Sequence, residues 1–243
     1  MNSFNRIIVP LDFDNEVDAR RAVEQLAPLG VMFKVGLELI CAIGAHADIK
    51  LVADQGGKVF FDGKFHDIPN TVGRASRVVS SQNVWAFNLH ASSGCEALNA
   101  AVANRGNSLV LAVTVLTSIA DHECSQIYGQ TSARQVLALA HKALKARVDG
   151  LICSPQELAI LNDCDDVADL IRVTPGVRPV WASTDDQKRV MTPAEAITAG
   201  ADYLVIGRPI TRPPSWIGTS DEAVKRIADE IENANKGVSH HGK

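Results

Sequence analysis

Apolar residues in this chain gather in short unbroken runs instead of alternating with polar ones. Stretches rich in Val, Ile, Leu and Phe fall at "RIIVPL" (6–11), "VMFKVG" (31–36), "KVFFD" (58–62) and "VWAFNLH" (84–90). Four more follow at "SLVLAVTVL" (108–116), "GLICS" (150–154), "LIRVTP" (170–175) and "YLVIG" (203–207). A strand with one wet face alternates with period two, so unbroken runs predict strands covered on both faces, as in a parallel sheet. The segments between them carry a helical period. "SARQVLALAHKALKARV" repeats Val136, Ala140, Leu144 and Val148 along one face. "DEAVKRIADEIENANKG" repeats Val224, Ile227, Ala228 and Ile231, with Asp221 as the expected N-cap and Gly237 as the stop. "TPAEAITAG" offers Thr192 as cap, Pro193 at the first helical position and Gly200 as the end. Eight strand–helix units predict a (β/α)8 TIM barrel of one domain over 1–237, with 238–243 as a disordered tail.

A doubly wound sheet would share the alternation, but it normally places a G-x-G-x-x-G turn after its first strand, and "VPLDFDNEVD" has none. "GGKVFFDGK" is no P-loop: its glycine spacing is wrong and Phe65 stands where Ser or Thr is required. The composition, 46% hydrophobic and 21% charged with a net charge of −4, fits an ordinary soluble globular protein. That charge argues against a nucleic-acid binder and leaves room for a local cationic pocket. Cys41, Cys95, Cys124, Cys153 and Cys164 form no C-x-x-C pair, which predicts free thiols in a reducing compartment. "MNSFNRIIVPLDF" lacks an apolar h-region, and no apolar run approaches the roughly 18 residues of a membrane span. A cytoplasmic protein is expected, and the two tail histidines read as a solvated end and not as a metal site.

Chemistry enters with "FFDGKFHDIPNT" (60–71), where Asp62, Lys64 and Asp67 follow a run that should be buried. In a (β/α)8 barrel, reactive groups project from the C-terminal ends of the strands. On that frame Asp12 ends the first strand, Lys34 lies late in the second, and Asp62 and Lys64 end the third. Asn88 and His90 end the fourth, Thr117 and Ser118 follow the fifth, and Gly207 and Arg208 end the eighth. Any one of these could be a strand-end residue meeting water; together they predict one polar mouth. Residues two apart on a strand share a face, so Asp62 and Lys64 are expected to point the same way. A lysine flanked by Asp62 and Asp67 stays protonated at neutral pH.

A second cluster lies at "TPGVRPVWASTDDQKRVMTP" (174–193), a long proline-bounded loop holding Arg178 and Gln187, with "VIGRPIT" after it. Loops after strands seven and eight form the usual phosphate site of this barrel. The fork of Arg208 suits phosphate, and Gly207 allows close backbone approach. The length of 174–193 fits a lid that closes over substrate.

"DGKFHDIPNT" resembles the D-x-K-x-x-D signature of the orotidine 5′-phosphate decarboxylase family. "PLDF", "FKVGLEL", "VTVLTS", "VTPGVRP", "STDDQKR" and "VIGRPIT" are similar to further family blocks in the family's order. The resemblance implies a cofactor-free decarboxylase whose ligand is the nucleotide orotidine 5′-phosphate. It implies that Asp12 and Lys34 meet the ribose hydroxyls, with Lys34 also joining the charged array. Asp62 would face the departing carboxylate and Lys64 would donate the proton to the pyrimidine carbon. Asp67, Ile68 and Thr71 would complete the partner's site in a homodimer. Thr117 lies in the block that meets the nucleotide, and Ser118 would contact the base. Arg178, Gln187, Gly207 and Arg208 would serve the phosphate and the lid.

Two departures stand out. Gly63 replaces the Leu or similar residue expected between Asp62 and Lys64, which predicts strand flexibility and a gap on the outward face. "HASSGCE" departs from a more usual glycine pair. His66 and His90 are read as structural. The nearest rival in the same superfamily is a magnesium-dependent 3-keto-L-gulonate 6-phosphate decarboxylase or hexulose-phosphate synthase. From another class, a non-catalytic binder of phosphorylated ligands would keep the barrel but not the full Asp62, Lys64, Asp67 set.

Overall fold

The computed structural model describes residues 2–182 and 191–238, with side chains through 236. All eight expected strands form: β1 (Ile7–Pro10), β2 (Met32–Val35), β3 (Lys58–Phe65), β4 (Ala86–His90), β5 (Leu109–Val113), β6 (Gly150–Ile152), β7 (Ile171–Pro175) and β8 (Tyr203–Val205). They close in sequence order into a barrel with helices between them, the (β/α)8 architecture. The chain divides into two compact units, residues 1–60 with 174–243, and residues 61–173.

In the first unit β1 is the hub. Pro10 registers with Lys34 on β2, and Ile7 with Leu204 on β8. Every residue of β1 is buried, as an unbroken apolar run requires, and Phe33, Val35, Leu204 and Ile206 are at 0% exposure around it. Arg6 closes the strand's entry by donating to the carbonyls of Ala201 and Asp202. The helix Pro193–Thr198 starts as expected: Thr192 Oγ1 accepts from the Glu195 N–H, and the Glu195 carboxylate accepts from the Thr192 N–H. The helix Ser220–Val238 corrects the sequence reading at its start. Asp221 lies inside the first turn, and the cap is a Thr219–Glu222 box in which Glu222 accepts from the Thr219 N–H at 2.7 Å. A threonine three residues ahead of a glutamate satisfies two orphan amides at once, which Asp221 alone cannot do.

In the second unit the ladder aligns His90 with Val113, Val113 with Ile152, and Ile152 with Val173, so the ends of β4, β5 and β6 lie level with Val173 of β7. The helix Ser132–Lys145 buries Val136, Leu139, Ala140 and Ala143, whereas Leu144 is 38% exposed. The apolar stripe leans by one position from the expected face, following the i, i+3, i+4, i+7 pattern. The five cysteines are free thiols. Among the described residues no helix is long and apolar enough to cross a membrane. The expected tail, 238–243, lies beyond the described residues apart from the backbone of Val238.

Candidate active site

β3 takes in Asp62 and Lys64 near its end, as expected, and runs one residue further, to Phe65. Lys64 is one of three non-glycine residues with positive φ among those described, at +47°. Even so, Phe61, Gly63 and Phe65 share one face while Asp62 and Lys64 meet, as the expected alternation requires. The Lys64 Nζ lies 2.6 Å from Asp62 Oδ1, with the lysine side chain 30% exposed and the aspartate side chain 8%. Asn88, at 0% exposure on β4, completes the group. Its Oδ1 accepts the Lys64 backbone N–H at 2.8 Å, and its Nδ2 donates to Asp62 Oδ1 at 2.6 Å. Sequence reading placed Asn88 at a strand end and gave it no role; the one available signal was an amide within the apolar run "VWAFNLH".

Gly63 leaves no gap. A Cβ there would meet Phe61 Cε1 at 2.5 Å and Phe65 Cε1 at 3.0 Å, so two rings fill the face that was expected to be empty. Their centroids lie 6.0 Å apart, and Phe65 continues to Phe87 at the same spacing. The His66 and His90 rings lie with centroids 5.3 Å apart, tilted by 34°. Burial holds the His90 imidazole below its ordinary pKa, reinforced by His66 and Lys64 and opposed by Asp62.

The remaining members of the signature face outward. Asp67 is exposed and its Oδ1 accepts the Ile68 N–H at 2.7 Å. It makes no ion pair with Lys64 among the described residues, so the expected flanking by two carboxylates within one chain reduces to Asp62. Ile68 is 66% exposed and precedes the helix Pro69–Ser80, where Pro69 occupies the first helical turn and Thr71 is also exposed. Thr117 and Ser118 lie exposed in the turn beyond β5. Below that turn, Thr114 Oγ1 donates to the Ile152 carbonyl at 3.0 Å, and Glu157 accepts the Ser154 N–H at 2.9 Å. Burial raises the Glu157 carboxyl to about 7.

The first unit carries the other expected residues. Lys34 Nζ lies 3.3 Å from Asp12 Oδ1, with the lysine 13% exposed and the aspartate 57%. Arg178 is buried, and its N–H donates to the Met191 carbonyl at 2.9 Å beside a Val177–Met191 bridge. Gly207 packs on β1, since a Cβ would meet Pro10 Cγ at 3.1 Å. Arg208 opens the short helix Arg208–Thr211 and is exposed. Gln187, and with it residues 183–190 of the expected lid, lies outside the described residues. Among the described residues no group of three or more His, Cys, Asp or Glu side chains is placed to hold a metal ion.

Comparison with known proteins places nearly the whole chain. Residues 5–216 match the family described as orotidine 5′-phosphate decarboxylase / HUMPS. The chain is 44% identical over 215 residues to an orotidine 5′-phosphate decarboxylase of Haemophilus ducreyi, covering 86% of this chain and 92% of that protein. It is 44% identical over 244 residues to the enzyme of that name from Heliobacterium modesticaldum, covering 95% and 97%. A crystal structure of orotidine 5′-phosphate decarboxylase from Lactobacillus acidophilus superposes with a TM-score of 0.79 at 33% identity, covering 93% of this chain and 99% of that one. By the match over residues 5–216 and these likenesses, the chain belongs to the orotidine 5′-phosphate decarboxylase / HUMPS family.

Proposed function

We propose that the chain decarboxylates orotidine 5′-phosphate to uridine 5′-phosphate and carbon dioxide, a step of pyrimidine nucleotide synthesis. The observation that carries this reading is the ion pair of Lys64 with the buried Asp62, 2.6 Å apart at the end of β3.

Loss of carbon dioxide leaves an electron pair in the plane of the pyrimidine ring, where the π system cannot delocalise it. So slow an uncatalysed reaction asks for transition-state stabilisation on the order of 20 kcal/mol. Proton donation alone contributes roughly 10²- to 10⁴-fold. In this reading the Lys64 ammonium opposes the growing negative charge and then gives its proton to that carbon, with little reorganisation because it is already fixed. Asp62 faces the substrate carboxylate and disfavours the ground state. Asp12 and Lys34 take the ribose hydroxyls, and Thr117 and Ser118 meet the nucleotide and its base. Arg178, Gln187, Gly207 and Arg208 grip the phosphate, and 174–193 closes as a lid. Binding at the remote phosphate then supports the chemistry at the ring. In a homodimer, exposed Asp67, Ile68 and Thr71 complete the partner's site, which restores the second carboxylate beside Lys64. The protein works in the cytoplasm on this reading.

The named relatives do not favour the magnesium-dependent alternative. Absorbance assay with orotidine 5′-phosphate, with and without a chelator, tests the choice. Turnover insensitive to chelator is expected; turnover abolished by chelator and restored by magnesium would favour the rival, and absence of turnover would favour a binder.

A further inference from the structure

Asp62, Lys64 and Asn88 form a closed ring of three bonds. Lys64 Nζ and Asn88 Nδ2 both reach the same oxygen, Asp62 Oδ1, each at 2.6 Å. The Lys64 N–H returns to Asn88 Oδ1 at 2.8 Å. We infer that Asn88 is a positioning residue for the reaction: its carboxamide locks the Lys64 backbone and the Asp62 carboxylate into one frame, so that the ammonium acts from a fixed point. This rests on the reading of Lys64 as proton donor.

The chemistry of each group selects an amide at residue 88. The Lys64 N–H is part-buried at a residue of positive φ, and an N–H withdrawn from water needs an acceptor. The carboxylate needs a donor. Asn is the side chain of this length that offers one acceptor and one donor, and the partners fix which end is which. Aspartate would set a second negative charge against Asp62, and leucine would leave both partners unpaired. Two donors on a single oxygen also oppose rotation of the carboxylate, and full burial of Asn88 removes water as a substitute. A lysine has four rotatable bonds to its ammonium; here it is anchored at its backbone and at its head.

The test is kinetic, on N88A, N88S and N88D, alongside K64A and the parent enzyme. In N88A, kcat is expected to fall about 100-fold, as misplacement of a reacting group does. KM for orotidine 5′-phosphate and the Kd of uridine 5′-phosphate should stay within about threefold, because Asn88 holds the amine and not the ligand. N88S, whose hydroxyl can replace one bond, should recover part of kcat. N88D should lose more than N88A, and its loss should deepen as pH rises through the ionisation of the new carboxyl. If N88A does not fold, N88S is read by the same criteria. A folded variant with kcat within about twofold of the parent, or one in which nucleotide affinity falls in step with kcat, overturns the inference. An inert K64A with fully active Asn88 variants removes only Asn88. An active K64A, or a parent enzyme without turnover, removes the proton-donor reading as well.

Discussion

Phe61 and Gly63 share one volume: Cε1 of the phenyl ring lies 2.5 Å from where a β-carbon at residue 63 would stand. The pair explains how the strand tolerates glycine beside its reactive residues. The bulk that a leucine would supply comes from the neighbour two positions earlier, on the same face. G63L should therefore overpack the strand and cost about 1–3 kcal/mol. For a chain of this size each kcal/mol lowers Tm by about 2–4 °C. The double variant F61A/G63L should regain most of that loss, and a thermal melt of the four members of the cycle measures the coupling. Equal melting of G63L and the parent would contradict the shared volume.

K64A should lose turnover by at least about 100-fold while the Kd of uridine 5′-phosphate changes little. Stopped assays at high enzyme concentration, paired with titration calorimetry, check both halves. Near-parental kcat would reject Lys64 as the donor.

R208A should raise KM for orotidine 5′-phosphate about 10- to 100-fold, the range of a lost charged hydrogen bond. Its effect should shrink on a substrate lacking the phosphate, since the residue then has nothing to grip. An unchanged KM for the phosphorylated substrate would remove Arg208 from the phosphate site.

Asp48 supplies a pH dependence away from the chemistry. It lies in the helix Ala45–Ala53 at 0% exposure, and among the described residues neither carboxylate oxygen has a hydrogen-bond partner. Burial raises its pKa from 3.8 to about 6. The folded state thus keeps a proton that the unfolded chain has released between those values, so this site's contribution to stability is present below 3.8 and is lost as pH rises through about 6. D48N mimics the protonated form at every pH. Its Tm should match the parent near pH 3.5 and exceed it by a few degrees at pH 8. A constant difference across that range would show that Asp48 does not titrate as stated.

The barrel was legible because each strand is an unbroken apolar run, and the Thr192–Pro193–Glu195 start was legible because all its partners lie within one turn. Asp221 was misread for a related reason: an acidic residue in a first turn suits the helix dipole whether or not it caps. Other features depend on partners far along the chain. Asn88 binds residues 24 and 26 positions away, so no spacing rule within "VWAFNLH" reveals it. The extension of β3 through Phe65 and the filling of the Gly63 face likewise come from packing. Asp67 shows the opposite limit: its motif position was plain, but nearness in sequence to Lys64 did not bring the two charges together.

The left-handed backbone at Lys64 puts folding and chemistry in opposition at one codon. Glycine is the residue best suited to that bend, and branched side chains such as valine or isoleucine are the worst suited. A screen for thermal robustness alone would drift toward the smallest residue there and select a sturdier, inert barrel.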